Sequence, residues 1–181
     1  MAAGERIRLF CALQLPDDAA AELVAWQERH LSRGRIVPPG NLHLTLAFLG
    51  HRPADELPAI AGALRAAARE ATAVELRPDG YRETRSVGMV VFEDVGGAGA
   101  ALAADLESRL ERLGVYRPEG RPWLAHVTVL RFRERPRLHP PPPSLPRVCA
   151  VRAAVYASAL GPAGARYEVL ETVDLGLDGP A

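Results

Sequence analysis

Two short apolar runs each carry a histidine followed two residues later by a threonine: His43-Leu44-Thr45-Leu46 and, 83 residues on, His126-Val127-Thr128-Val129. An unperturbed imidazole titrates near pH ~6.5, so of two imidazoles at one phosphate, one is able to take a proton while the other gives one. Such a pair suits phosphodiester hydrolysis, because the attacking water loses a proton and the departing ribose oxygen gains one. The two threonine hydroxyls are spaced to hydrogen-bond the non-bridging phosphate oxygens as their charge grows.

Other chemistries fit less well. Structural zinc draws on four ligands and catalytic zinc on three at short local spacing, and neither motif supplies a second ligand at such spacing, so no metal and no cofactor are expected. There is no G-x-S-x-G cue for an acyl-transfer nucleophile and no glycine-rich phosphate loop. All 22 basic residues are arginine, which removes Schiff-base chemistry and a P-loop lysine. Phosphate binding must then rest on arginine, hydroxyls and backbone amides. A lone histidine in a strand is more often a structural hydrogen-bonding residue than a catalytic one; the repetition of the whole pair favours chemistry.

The elements that carry the motifs are legible from their patterning. Leu42 to Leu49 and Leu124 to Leu130 have the length and branching of strands. Alternation puts His43, Thr45 and Ala47 on one face and Leu44, Leu46 and Phe48 on the other, with Val127 and Val129 behind His126 and Thr128. Ile7 to Leu15 reads as a strand stopped by Pro16, and Asp17 and Asp18 introduce a helix carrying Leu23, Trp26, His30 and Leu31. Pro38 to Asn41 is a turn. A second helix is expected over Pro53 to Ala71 and a third over Ala101 to Leu113, ending at Gly114.

Val74 to Arg77 and Val87 to Phe92 read as strands joined through the turn Pro78-Asp79-Gly80. Arg147 to Ala157 and Arg166 to Val173 read as the last two strands, around Gly161-Pro162-Ala163-Gly164. Pro136 to Pro146 excludes regular helix and central strand and is read as an extended loop, with recognition by an SH3-type partner the alternative. The total is about three helices and seven strands. A helix precedes each motif strand, which predicts two similar α+β lobes whose motif strands meet across a groove, with the chain crossing between lobes.

Length and composition bound the rest. With 48% hydrophobic residues, 181 residues bury a sizeable core and fit a single bilobal domain spanning 1–181. Net charge is zero, which argues against broad binding of duplex DNA. The start of the chain lacks the apolar core of a signal peptide, and no apolar run approaches bilayer length, so a cytoplasmic protein is expected. Cys11 and Cys149 are expected as buried free thiols, and His30, His51 and His139, without threonine partners, as surface residues.

Taken in order, Arg8-Leu-Phe-Cys-Ala-Leu-Gln-Leu-Pro16, His43-Leu-Thr-Leu-Ala-Phe-Leu-Gly50, His126-Val-Thr-Val-Leu-Arg131, and Ser158 with Tyr167 resemble the two-histidine phosphoesterase superfamily over nearly the whole chain. Within it the chain is similar to the RNA 2′,3′-cyclic phosphodiesterases, also called 2′-5′ RNA ligases. The resemblance implies a bilobal α+β fold with pseudo-two-fold symmetry. It also implies hydrolysis of 2′,3′-cyclic phosphate ends to 2′-phosphate, with reversible 2′-5′ ligation as a second activity. On that pattern His43 is the acid on the leaving 3′ oxygen, His126 the base on water, and Arg131 a phosphate ligand, set against a surface salt bridge. Simple alternation turns Arg131 away from His126, so its role requires the strand to twist or end there. Ala125 departs from the pattern, in which relatives often carry proline before the second histidine.

Phe10 and Trp123 are candidates to stack on a base, set against core packing. The implied partners are RNA ends or small cyclic-phosphate nucleotides, bound by a monomer. The rival readings are a phosphodiesterase for another cyclic phosphate, such as ADP-ribose 1″,2″-cyclic phosphate or a cyclic nucleotide, and a nucleotide-binding module without turnover. The latter would not need two titrating groups.

Overall fold

The structure, a computed structural model, describes residues 5–118, 120–161 and 164–176. In chain order the elements are β1 (Arg6–Gln14), α1 (Asp17–His30), β2 (Arg35–Ile36), β3 (His43–Pro53), α2 (Leu57–Glu70), β4 (Val74–Glu83), β5 (Val87–Val95), α3 (Ala98–Arg112), β6 (His126–Arg131), β7 (Val148–Ala150), β8 (Arg152–Gly161) and β9 (Gly164–Asp174). They form two antiparallel sheets, one of order β3-β1-β8-β9 and one of order β2-β6-β5-β4-β7. The chain visits the first sheet with β1, the second with β2, returns with β3, builds β4 to β7 in the second, and closes in the first. The expected α+β architecture of two helix-backed lobes is the one observed, and β3 and β6 approach one another across it.

Alternation along β1 sets its two faces. Leu9, Cys11 and Leu13 enter the main core, while Phe10 and Ala12 join Ala154 and Tyr156 in a small second cluster on the groove side. Helices α2 and α3 pack on each other and on strands of both sheets. Their Ile60, Leu64, Leu102, Leu106 and Leu110 are each at most 2% exposed, and burial of such a side chain contributes roughly 1.5–3 kcal/mol. No helix among the described residues is long and apolar enough to cross a membrane.

Several boundaries differ from the sequence reading for local reasons. Pro78-Asp79-Gly80 is not a turn: β4 runs through it with Asp79 bulged out of register, a place where a strand tolerates proline. The turn lies at Thr84–Ser86, closed by the Thr84 amide donating to the Val87 carbonyl at 2.8 Å. Helix α3 starts three residues early because Asp94, from outside the helix, accepts from the Gly99 and Ala100 amides at 3.1 and 2.7 Å. Strand β2 is a short addition to the expected seven, and the single strand expected over Arg147 to Ala157 is divided at Val151 into β7 and β8, which belong to different sheets. Of the turn expected at Gly161 to Gly164, Pro162 and Ala163 lie outside the described residues.

Cys11 is buried, and burial pushes its thiol up to about 12. Cys149 is exposed on β7, contrary to its expected burial, because it lies between the inward-facing Val148 and Ala150. The proline-rich segment has no regular structure and is tied down at two places. Pro141 accepts from the Trp26 indole at 2.9 Å, and Glu83 accepts from the Arg137 and Leu138 amides at 3.0 and 2.8 Å. Burial works to raise the Glu83 carboxyl, but those amides, with Arg135 and Tyr81, outweigh it and hold the group below the ordinary carboxylate range.

Candidate active site

The two motif strands share an irregularity that alternation alone does not contain. In β3, Thr45 pairs with Ala12 and Ala47 with Cys11, leaving Leu46 as an extra residue. In β6, Thr128 pairs with Met89 and Leu130 with Gly88, leaving Val129 as the extra one. Both bulges fall three residues after the histidine. A bulge reverses the alternation beyond it. Ala47 therefore turns into the core, and Phe48 and Arg131, each five residues after a histidine, turn to the groove. The expectation that Phe48 is core and Ala47 shares the histidine face is thus corrected, and the twist required for Arg131 is supplied by the Val129 bulge.

The second bulge is held from below. The Val129 carbonyl accepts from the Val37 amide at 3.1 Å and from Gln27 Nε2 at 2.8 Å, and the same Nε2 donates to the Val37 carbonyl at 3.0 Å. Gln27, on α1, is fully buried. Nothing in the helical pattern of α1 marked it out; a glutamine among Leu23, Trp26 and Leu31 on one helix face was the available signal.

Each imidazole is fixed by the same contact. His43 Nδ1 lies 2.8 Å from the Asn41 carbonyl and His126 Nδ1 lies 2.8 Å from the Leu124 carbonyl. A carbonyl only accepts, so each Nδ1 carries hydrogen and each Nε2 is the working nitrogen. Their surroundings differ. His43 is packed by Phe10 at 4.8 Å, Tyr167 at 5.3 Å and Tyr156 at 5.9 Å between ring centroids. Burial, above all, pushes its pKa down to about 4; the charges of His126 and Arg131 add to this, and the Asn41 carbonyl opposes it. In the free protein His43 is therefore neutral at pH 7.

A groove of about 600 Å³ contains His43, Thr45, Thr128 and Arg131 in its wall. His126 does not line that volume but is near enough for its charge to act on His43. Phe10 reaches the groove yet is only 3% exposed: one face stacks on Tyr156 at 4.9 Å and its edge meets Tyr167 at 5.0 Å. It is therefore a floor for His43 and not a surface for a base. Trp123 is outside the groove. Its indole donates to the Thr45 carbonyl at 2.8 Å and rests on Gly99, where a Cβ would stand 2.6 Å from the ring. The exposed aromatic in the groove is Phe48, with the Arg8 guanidinium 4.5 Å above its ring and donating to Ser158 Oγ at 2.5 Å.

The groove thus offers two fixed imidazoles, two hydroxyl donors and guanidinium charge, a set suited to holding a phosphate and moving protons on either side of it. Of the expected site residues the fold brings together His43, Thr45, Thr128 and Arg131, places His126 beside them, and sets Phe10 and Trp123 to structural tasks. Arg8, Arg35, Asn41 and Tyr167 join them as lining residues.

Residues 13–85 match the family model described as LigT like phosphoesterase. Along nearly its full length the chain is 36% identical, over 180 residues, to a Thermus thermophilus protein named RNA 2′,3′-cyclic phosphodiesterase, covering 93% of this chain and 90% of that one. An Escherichia coli protein of the same name is 30% identical over 169 residues, covering 91% and 94%. The crystal structure of E. coli LigT complexed with 3′-AMP superposes with a TM-score of 0.82 at 26% identity, covering 96% of this chain and all of that one.

Proposed function

Because the chain belongs to the RNA 2′,3′-cyclic phosphodiesterases, a group of LigT-like phosphoesterases, we propose that it hydrolyses RNA 2′,3′-cyclic phosphate ends to 2′-phosphates without a metal ion. The observation that carries this reading is the twinned site: two imidazoles tied at Nδ1 and free at Nε2, each followed by a groove-facing threonine and a bulge. The name and the 3′-AMP complex of the relatives support nucleotides as its ligands. The groove is built from one chain, which suits a monomer acting as a single unit, and two unpaired cysteines suit the reducing cytoplasm.

In the reaction His126 Nε2 takes a proton from water as the water oxygen bonds to phosphorus. The bond from phosphorus to O3′ breaks, and His43 Nε2–H delivers its proton to O3′. The products are a 2′-phosphomonoester and a 3′-hydroxyl. Thr45 and Thr128 donate to the non-bridging oxygens, and Arg131 offsets their charge. A 5′-hydroxyl that attacks the cyclic phosphate in place of water, giving its proton to His126 as the bond from phosphorus to O3′ breaks and O3′ takes the proton of His43, yields a 2′-5′ linkage and a 3′-hydroxyl.

An acid held neutral in the free protein must be protonated by its substrate. An anionic phosphate at roughly 4 Å stabilises an imidazolium by about 4 kcal/mol at an effective dielectric constant near 20, or about three pKa units. That returns a group at about 4 to near neutrality. Calorimetry in buffers of different ionisation enthalpy should therefore show proton uptake when adenosine 2′,3′-cyclic phosphate binds the His126→Ala protein at pH 6.5. Binding without uptake would remove His43 as the acid. The activity is tested with a 2′,3′-cyclic-phosphate oligoribonucleotide in EDTA: conversion to a 2′-phosphate is expected, and turnover only after metal is added would sink the mechanism.

A further inference from the structure

Arg35 has no task in the chemistry above. It sits on β2 as the direct cross-strand partner of Arg131, and both residues line the groove. Directly opposed residues of an antiparallel pair hold their Cβ atoms about 4.5–5.5 Å apart, and like charges there destabilise the pair. The chain has as many acidic residues as arginines, 22 of each. Yet among the described residues neither Arg35 nor Arg131 has an ion-pair partner, while Arg29, Arg52, Arg65 and Arg77 do.

Two unneutralised guanidinium groups side by side in a cavity wall suit a phosphate, which paired arginines bind by charge-assisted hydrogen bonds. Arg35 is also braced in place. Its guanidinium lies against Gly164 at the start of β9, where φ is +116° and a Cβ would stand 2.5 Å from Nη1. Only glycine suits that backbone and that approach.

The anion in question is not the reacting phosphate. Arg131 is near enough to His43 to lower its pKa, and Arg35 is not among the charges acting there. Thr128 and Arg131 are three residues apart but, across the Val129 bulge, span two residues of the partner strand, roughly 7 Å at ~3.3 Å per residue, and Arg35 stands at the Arg131 end. A phosphate one nucleotide unit away from Thr45 and Thr128 falls within reach of a long arginine there, in a groove with room for it. We propose that Arg35, beside Arg131, forms a subsite for the 5′-phosphate of the nucleotide that bears the cyclic phosphate. The substrate class is then the 5′-phosphorylated terminal nucleotide, as in an RNA chain, and not a bare nucleoside cyclic phosphate.

The subsite rests on the hydrolase reading, and one pair of substrates separates the two. Turnover of adenosine 2′,3′-cyclic phosphate tests the hydrolase; the ratio of kcat/KM for its 5′-phosphorylated form to that for the unphosphorylated one tests the subsite. The wild-type ratio should be about ten or more at low salt and should fall as salt rises. Arg35→Gln should lower the ratio about tenfold, and Arg35→Lys should restore part of it. A wild-type ratio near one at every salt concentration would overturn the subsite, as would an equal loss on both substrates in a folded Arg35→Gln protein. Should Arg35→Gln fail to fold, the salt dependence of the wild-type ratio decides, a flat ratio counting against the proposal. If neither nucleotide is turned over, the hydrolase reading falls and the ratio of their dissociation constants decides the subsite.

Discussion

In the first lobe the strand opposite the motif brings Ala12 against Thr45 and, two residues away, Phe10 against Phe48, and Tyr156 and Tyr167 complete with Phe10 an aromatic wall around His43. In the second lobe the corresponding places are taken by Met89, opposite Thr128, and Val87, opposite Arg131, and no ring packs on the imidazole among the described residues. The motif strands themselves are near copies, down to the bulge and the Nδ1 contact. Duplicated backbone geometry with unlike neighbours presents two imidazoles tied alike at Nδ1, and the aromatic wall buries one of them, His43, and lowers its pKa.

If both halves take part in the chemistry, removing either imidazole is the largest blow. His43→Ala and His126→Ala should each lower kcat on the order of a thousandfold, measured on folded protein with a cyclic-phosphate dinucleotide. A variant retaining near wild-type rates would strip its lobe of a catalytic part. Symmetry also predicts equal damage from Thr45→Val and Thr128→Val, each on the order of a hundredfold in kcat. A tenfold gap between them would mean that one hydroxyl alone faces the developing charge.

The aromatic wall should show in stability as well as in rate. His43 has a folded pKa of about 4, below the ~6.5 of an unfolded chain, so the unfolded state binds more protons between those values. Its stabilising contribution is complete above pH 6.5 and is lost as pH falls toward 4. Urea unfolding should show wild type losing about 2 kcal/mol more than His43→Gln between pH 7.5 and pH 5. Parallel losses in the two proteins would mean that the wall does not seal the ring. The smallest effect belongs to the other lobe: Gln27→Leu should destabilise by about 1 kcal/mol and raise KM with little change in kcat, because it loosens the bulge that aims Arg131. A fall in kcat with KM unchanged would place the bulge in the chemical step instead.

How much of this was readable in the chain follows from periodicity. His43, Thr45, His126 and Thr128 stand before the bulges, where alternation holds, and their common faces followed from spacing alone. Phe48 and Arg131 stand after them, where alternation fails. The trace of failure was present in both copies: Leu46-Ala47 and Val129-Leu130 are adjacent buried pairs, which a strand of strict period two does not contain. For Phe10 and Trp123 the chain left base stacking and core packing open, and packing is what the fold shows, because the neighbours that decide it come from β8, β9 and α3, far away in sequence. Arg35 was invisible because a two-residue strand leaves no pattern, and its meaning depends on its partner across the ladder.

The indole of Trp123, hydrogen-bonded to the Thr45 carbonyl, ties the loop ahead of one motif to the backbone of the other. The chain has only one other tryptophan, Trp26, which is 1% exposed and lies under the proline-rich segment. The protein thus carries its own optical gauge: a nucleotide entering beside Thr45 is expected to change the emission of Trp123 over the background of Trp26. Groove filling can be followed in real time on unlabelled protein, and Trp123→Phe would silence the signal while leaving both imidazoles in place.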